Sequence, residues 1–86
     1  MNLLFNRIVR PMIITTISNN KLFIKFDSLI KEGVIYLVDN KNFKSKQNIR
    51  SSDFEVLDLP ADSDKIHIQI EIEGEKTTKT INLKNQ

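Results

Sequence analysis

In the segment Lys65-Ile66-His67-Ile68-Gln69-Ile70-Glu71-Ile72-Glu73-Gly74-Glu75, isoleucine occupies every second position from 66 to 72, with polar or charged residues between. Successive side chains of a β-strand point to opposite faces, so this segment has one apolar and one polar face. At the helical period the isoleucines would be spread around the whole helix, which disfavours a helix. A strand that buries a single face is typical of an antiparallel sheet.

The N-terminal part of the chain continues this β pattern. Residues 12–18 are rich in β-branched side chains, and Asn19-Asn20 suits a tight two-residue turn before the alternating residues 21–27. These segments predict a β-hairpin. Residues 34–39 are apolar on both faces, which predicts a central strand, and the basic residues 43–49 predict an edge strand.

The C-terminal part adds three more strands. Residues 53–60 form a predicted strand that ends in Leu59-Pro60, and a polar loop at 61–64 leads into the isoleucine strand. A turn at 73–76 then precedes the last predicted strand, 77–83. With 28–33 read as a connection, the chain has about seven short strands and no helix, which is typical of a β-sandwich.

Residues 12–84 resemble, as a pattern, the immunoglobulin-like and fibronectin type III domains. The resemblance is closest in residues 54–60, a strand ending in Leu-Pro, followed by a short polar loop and the long alternating strand 65–74. It implies an all-β fold, an immunoglobulin-like antiparallel β-sandwich of about seven strands. Domains of this pattern occur in bacterial surface proteins and as auxiliary or decoration proteins of phage capsids, and fold alone does not choose between the two.

Length and composition narrow the class of protein. The chain has 86 residues, a formal net charge of +2 and no cysteine. This length predicts one domain, and the lack of cysteine excludes disulfide-rich scaffolds and thiolate metal sites. The small net charge does not by itself indicate a nucleic-acid partner.

Residues 1–11 are apolar but lack the pattern of a signal peptide or a membrane span. We therefore expect residues 1–11 to be an N-terminal docking arm and residues 12–86 to be a single β-sandwich domain. The arm would cover either its own sandwich or a neighbouring subunit, and a neighbour is favoured. Its apolar side chains would dock there while its arginines pair with acidic groups. The predicted partner-binding residues are Leu4, Phe5, Arg7, Ile8, Arg10, Phe23 and Tyr36.

Reactive side chains are sparse. His67 is the only histidine, and its position in the isoleucine strand predicts an exposed side chain without a catalytic partner. Asp58, Asp62 and Asp64 lie near one loop, where aspartate commonly supports turns, and no calcium-binding loop surrounds them. We expect no catalytic, cofactor-binding or metal-binding residues.

These features predict a non-enzymatic structural or protein-interaction module. The specific expectation is a small virion component, such as an auxiliary or decoration protein of a phage capsid. Its partners would be protein subunits of a larger assembly or other copies of the chain. One alternative is a secreted or surface-exposed bacterial immunoglobulin-like adhesion or binding module. A second is a small nucleic-acid-binding β-barrel, which needs Tyr36, Phe43, Lys44 and Lys46 on one surface.

Overall fold

The computed structural model describes residues 11–83, which contain five strands and no helix. None of these residues forms a helix long and apolar enough to cross a membrane. The strands are β1 (Ile13–Ser18), β2 (Lys21–Asp39), β3 (Lys44–Asp58), β4 (Lys65–Ile72) and β5 (Glu75–Asn82).

Strand β2 organises the sheet, and all its pairings are antiparallel. Its residues 21–26 lie between β1 and the C-terminal part of β3. Its residues 33–39 lie between the N-terminal part of β3 and strand β4. Strand β5 pairs with β4. Residues 34–39 therefore belong to a central strand, as their two apolar faces predicted, and β3 lies at an edge of the described sheet.

The sheet changes direction in the middle of β2. Lys25 pairs with Phe54 and Ile30 pairs with Ser52, so residues 26–29 of β2 lie opposite Asp53 alone. Extra residues on one strand bend it and increase its twist. The bend divides the sheet into an N-terminal half, which contains β1, and a C-terminal half, which contains β4 and β5. Strands β2 and β3 run through both halves.

Both halves contribute to one hydrophobic core. Leu22, Ile24 and Phe26 project from the N-terminal half, and the isoleucine strand β4 projects from the C-terminal half. The buried core residues are Leu22, Ile24, Phe26, Ile30, Ile35, Leu37, Ile49, Leu57, Leu59, Ile66, Ile68 and Ile70. The single cluster shows that the sheet curls until its inner faces meet.

The predicted all-β antiparallel fold is confirmed, but the predicted sandwich of about seven strands is not, since the described residues form one curled sheet of five strands. The seven predicted segments lie in five strands, because β2 and β3 each contain two of them, one in each half of the sheet. The prediction of a connection at residues 28–33 is wrong, since these residues continue β2 around the bend. The predicted turns are confirmed: Asn19 and Asn20 have φ of 51° and 64°, and Gly74 has φ of 81°.

Candidate contact surfaces

The outer face of the N-terminal half carries large apolar side chains. Met12 is 63% exposed, Ile14 54%, Phe54 48% and Val56 36%. Phe23, on β2 between them, is half-buried and pairs with Val56 of β3. We call these five residues the outer aromatic face. Large exposed apolar side chains that gather on one face commonly mark a contact surface.

Two phenylalanine rings form the centre of this face. The rings of Phe23 and Phe54 are stacked, with centroids 6.0 Å apart and planes inclined by 20°. Because Phe23 pairs with Val56 and Lys25 pairs with Phe54, the two rings are diagonal neighbours across β2 and β3. Diagonal aromatic pairs are within reach on a sheet surface, so each ring limits the motion of the other.

The lysines around the outer aromatic face have acidic partners. Lys21 Nζ lies 2.5 Å from Asp58 Oδ1, and Lys25 Nζ lies 3.5 Å from Asp53 Oδ2. Both pairs are exposed, so each contributes little to stability. Their main effect is on the surface charge, because the two aspartates neutralise the two lysines beside the aromatic rings.

The outer face of the C-terminal half has a different character. Tyr36 of β2 pairs with Lys46 of β3 and Gln69 of β4. The Lys46 ammonium lies 5.9 Å from the centre of the Tyr36 ring, within the range of a cation–π contact. Phe43, in contrast, is half-buried and packs against the core. The nucleic-acid alternative needed Phe43 beside Tyr36 on one surface, and the structure does not place it there.

A cleft separates β1 from β5, where the curled sheet is open; we call it the seam. Among residues 11–83, β1 pairs only with β2 and β5 pairs only with β4. Lys79 of β5 donates a hydrogen bond of 3.0 Å to Thr15 Oγ1 of β1, and this side-chain contact crosses the seam. Two adjoining clefts of about 320 and 250 Å³ lie along it. Residues that line both are Pro11, Ile13, Ile70 and Thr77.

A hydrogen-bonded carboxylate holds the loop between β2 and β3. Asp39 Oδ1 accepts from the backbone N–H groups of Lys41 at 2.9 Å and Phe43 at 2.7 Å. The Ser63 hydroxyl donates to Asp39 Oδ2. The Ser63 hydrogen bond, followed by the backbone N–H groups and the Lys41 charge, lowers the pKa of Asp39 below its usual 3.8. These hydrogen bonds join the Asp39 side chain to the loop between β2 and β3 and to the loop between β3 and β4, so its role is structural.

The predicted partner-binding residues do not form one site within the described structure. Phe23 lies on the outer aromatic face and Tyr36 lies on the outer face of the other half, beyond the bend. The remaining five lie outside the described residues, namely Leu4, Phe5, Arg7, Ile8 and Arg10.

Sequence reasoning missed Phe54, although a signal for it was present. Leu57 and Leu59 are the apolar positions that face the core at the end of β3. Counting back from Leu57 with period two puts Glu55 on the inner face, and therefore Val56 and Phe54 on the outer face. An outward phenylalanine next to an outward valine is the composition of a contact surface.

The side chains considered for chemistry are dispersed. His67 is exposed, and its Nδ1 lies 3.0 Å from Thr80 Oγ1. Residues 11–83 contain no group of three or more histidine, cysteine, aspartate or glutamate side chains arranged to hold a metal ion. Comparison with protein-family models, curated proteins and solved structures finds no match to this chain.

Proposed function

We propose that this chain is a non-enzymatic protein-interaction module that contacts a subunit of a larger assembly through its outer aromatic face. The observation that carries the proposal is the stacked pair Phe23 and Phe54 on an exposed sheet surface, beside Val56 and Ile14. Because the adjacent lysines are balanced by Asp53 and Asp58, we expect an apolar partner surface rather than a strongly acidic one.

The sequence supports two more specific assignments for this chain. The first is an immunoglobulin-like relationship, supported by the antiparallel segments around one core. The second is a place in a virion, such as an auxiliary or decoration protein of a phage capsid. A secreted or surface-exposed binding module is the alternative, and its partner would meet the same face.

Site-specific photocrosslinking tests the contact. A photoreactive phenylalanine analogue replaces Phe54 in the full chain, which is produced in the cells that encode it. We expect an adduct with one protein subunit that sediments with an assembled particle. The matched control carries the analogue in place of Lys76, an exposed position on the outer face of the C-terminal half. Equal adducts from both positions, or none from either, would overturn the proposal.

A further inference from the structure

The seam offers backbone groups to an added strand. The edges of β1 and β5 that face each other across it have no strand neighbour among residues 11–83. An exposed strand edge binds extended peptides through main-chain hydrogen bonds, and adjacent pockets select the side chains. At the seam a single added strand would meet one edge on each side after it displaces the Lys79 side chain from Thr15.

The floor of the seam is apolar. Ile70 of β4 is 4% exposed and lies beneath both clefts, and Ile13 of β1 and Ile72 of β4 are half-buried beside it. The cleft nearest the start of β1 measures about 320 Å³, close to the lower limit of pockets that bind compact apolar ligands. An occupant therefore needs a small number of large apolar side chains.

We propose that the seam binds residues 3–9 of a second copy of this chain as an added strand. These seven residues, Leu3-Leu4-Phe5-Asn6-Arg7-Ile8-Val9, include five large apolar side chains. In extended form they span about 23 Å, and the six residues of β1 span about 20 Å, so the lengths match. In that form Arg7 shares a face with Leu3, Phe5 and Val9, so three of the four side chains on this face are apolar and suit the apolar floor.

The start of the described chain favours exchange between two copies. Met12 is held in line with β1, because its N–H donates to Asp27 Oδ1 at 3.0 Å and its carbonyl accepts from Asp27 N–H at 3.2 Å. Pro11 has a fixed φ, and a residue before proline is biased towards extended geometry. To enter its own seam the segment would have to reverse direction before Pro11, whereas a segment in line with β1 would meet a second copy.

Charge at one end of the seam agrees with this occupant. Glu73, Glu75 and Lys31 line the cleft of about 320 Å³, so acidic side chains are present at this end of the seam. Residues 3–10 contain Arg7 and Arg10 and no acidic residue. Reciprocal exchange of the segment between two copies is the arrangement of a swapped dimer.

Crosslinking in mixtures of full-length variants tests the proposal, since the chain has no cysteine of its own. Asn6→Cys in one copy, which keeps the apolar residues, is mixed with an affinity-tagged copy that carries Thr77→Cys in the seam. A short bis-maleimide then links the two thiols. We expect several-fold more tagged heterodimer than in a control mixture in which Thr80→Cys replaces Thr77→Cys. Thr77 lines the seam, and Thr80 points to the opposite face of β5.

Two outcomes would overturn the proposal. Equal yields from Thr77→Cys and Thr80→Cys would show that the segment does not enter the seam of another copy. A monomeric intrachain crosslink in the double variant Asn6→Cys/Thr77→Cys, with no heterodimer in the mixtures, would show that each segment fills its own seam. The mass of the uncrosslinked chain by light scattering is a second measurement. We expect Thr77→Phe to reduce dimer formation several-fold and Thr80→Phe to leave it unchanged.

This inference goes beyond the proposed contact function and uses a different surface, so the two can fail separately. Phe54→Ser removes the centre of the outer aromatic face and leaves the seam intact. If the seam proposal alone is right, Phe54→Ser retains the heterodimer crosslink and Phe54 shows no assembly adduct. If the contact function alone is right, the adduct at position 54 forms and the seam crosslink is missing.

Discussion

Gly33 lies so close to Glu71 of the adjacent strand that a Cβ atom at position 33 would be 2.9 Å from the Glu71 carbonyl oxygen. The same atom would be 3.2 Å from Ile72 Cγ1 and 3.3 Å from Ile49 Cδ1. Gly33 pairs with Ile49 on one side and Ile72 on the other, just after the bend in β2. The missing side chain therefore lets β3 and β4 both approach β2 where the C-terminal half begins.

We expect Gly33→Ala to lower the free energy of unfolding by about 1–3 kcal/mol, because the Glu71 backbone must move to admit the methyl group. Urea denaturation monitored by circular dichroism measures the change. Gly74→Asn is the matched control, since Gly74 has φ of +81° with open space around it and asparagine tolerates that conformation. A Gly33→Ala variant as stable as the wild type would contradict the close approach of β4.

Asp39 predicts a pH dependence of stability. Its pKa in the folded chain lies below the usual 3.8, so the folded state favours the charged carboxylate. The stabilisation is complete above the pKa of the unfolded chain and is lost as the pH falls through the lower, folded pKa. We expect Asp39→Asn to melt at a lower temperature than the wild type at neutral pH, and this difference to shrink in acid.

Thermal unfolding of both proteins across the acidic range checks this expectation. Asp62→Asn, in the exposed loop after β3, is the control and should melt like the wild type at each pH. A melting difference between Asp39→Asn and the wild type that stays constant down to strongly acidic pH would show that the charge of Asp39 contributes nothing. The hydrogen bonds from the Lys41 and Phe43 backbone N–H groups would then stabilise the fold equally well with a neutral carboxyl group at position 39.

Local sequence patterns predicted much of the fold, because the conformation of a strand or a tight turn depends mainly on residues close in sequence. The alternation of residues 66–72 and the turn at Asn19-Asn20 each depend on period or on φ preference within a few residues. The bend escaped prediction because residues 28–33 interrupt the alternating pattern and expose several side chains, as a loop does, yet Ile30, Glu32 and Gly33 remain paired with β3. Composition cannot distinguish a solvated, bulged strand from a connection.

The candidate site was less predictable than the fold. Phe23 was expected to contact a partner, but its neighbour Phe54 is 31 positions away in sequence, and their contact depends on the register of β2 against β3. That register is set by the bend and by turns that no single segment encodes. Phe43 was placed with the basic surface because of its neighbours in sequence, whereas the loop held by Asp39 turns it towards the core.

The stacked rings predict an energetic coupling between β2 and β3. We expect a double-mutant cycle of Phe23→Ala and Phe54→Ala to give a coupling free energy of about 0.5–1.5 kcal/mol, because each ring loses its aromatic neighbour when the other is removed. Urea denaturation of the four proteins measures it. The control cycle pairs Phe23→Ala with Thr78→Ala on β5, and should be additive to within about 0.5 kcal/mol. Additivity in both cycles would mean that the stacking contributes nothing to stability.

The outer face of the C-terminal half predicts weak interaction with single-stranded nucleic acid. Such binding needs several aromatic side chains that stack on successive bases along a basic groove. On this face Tyr36 lies below Lys46, and Phe43 packs inward. We expect fluorescence anisotropy to show no saturable binding of a labelled oligothymidine at physiological salt, and Lys46→Glu to change nothing. Saturable binding that weakens steeply with salt and is lost in Lys46→Glu would instead support the nucleic-acid alternative. Phe54→Ser, on the other half, serves as the control because it leaves Tyr36 and Lys46 in place.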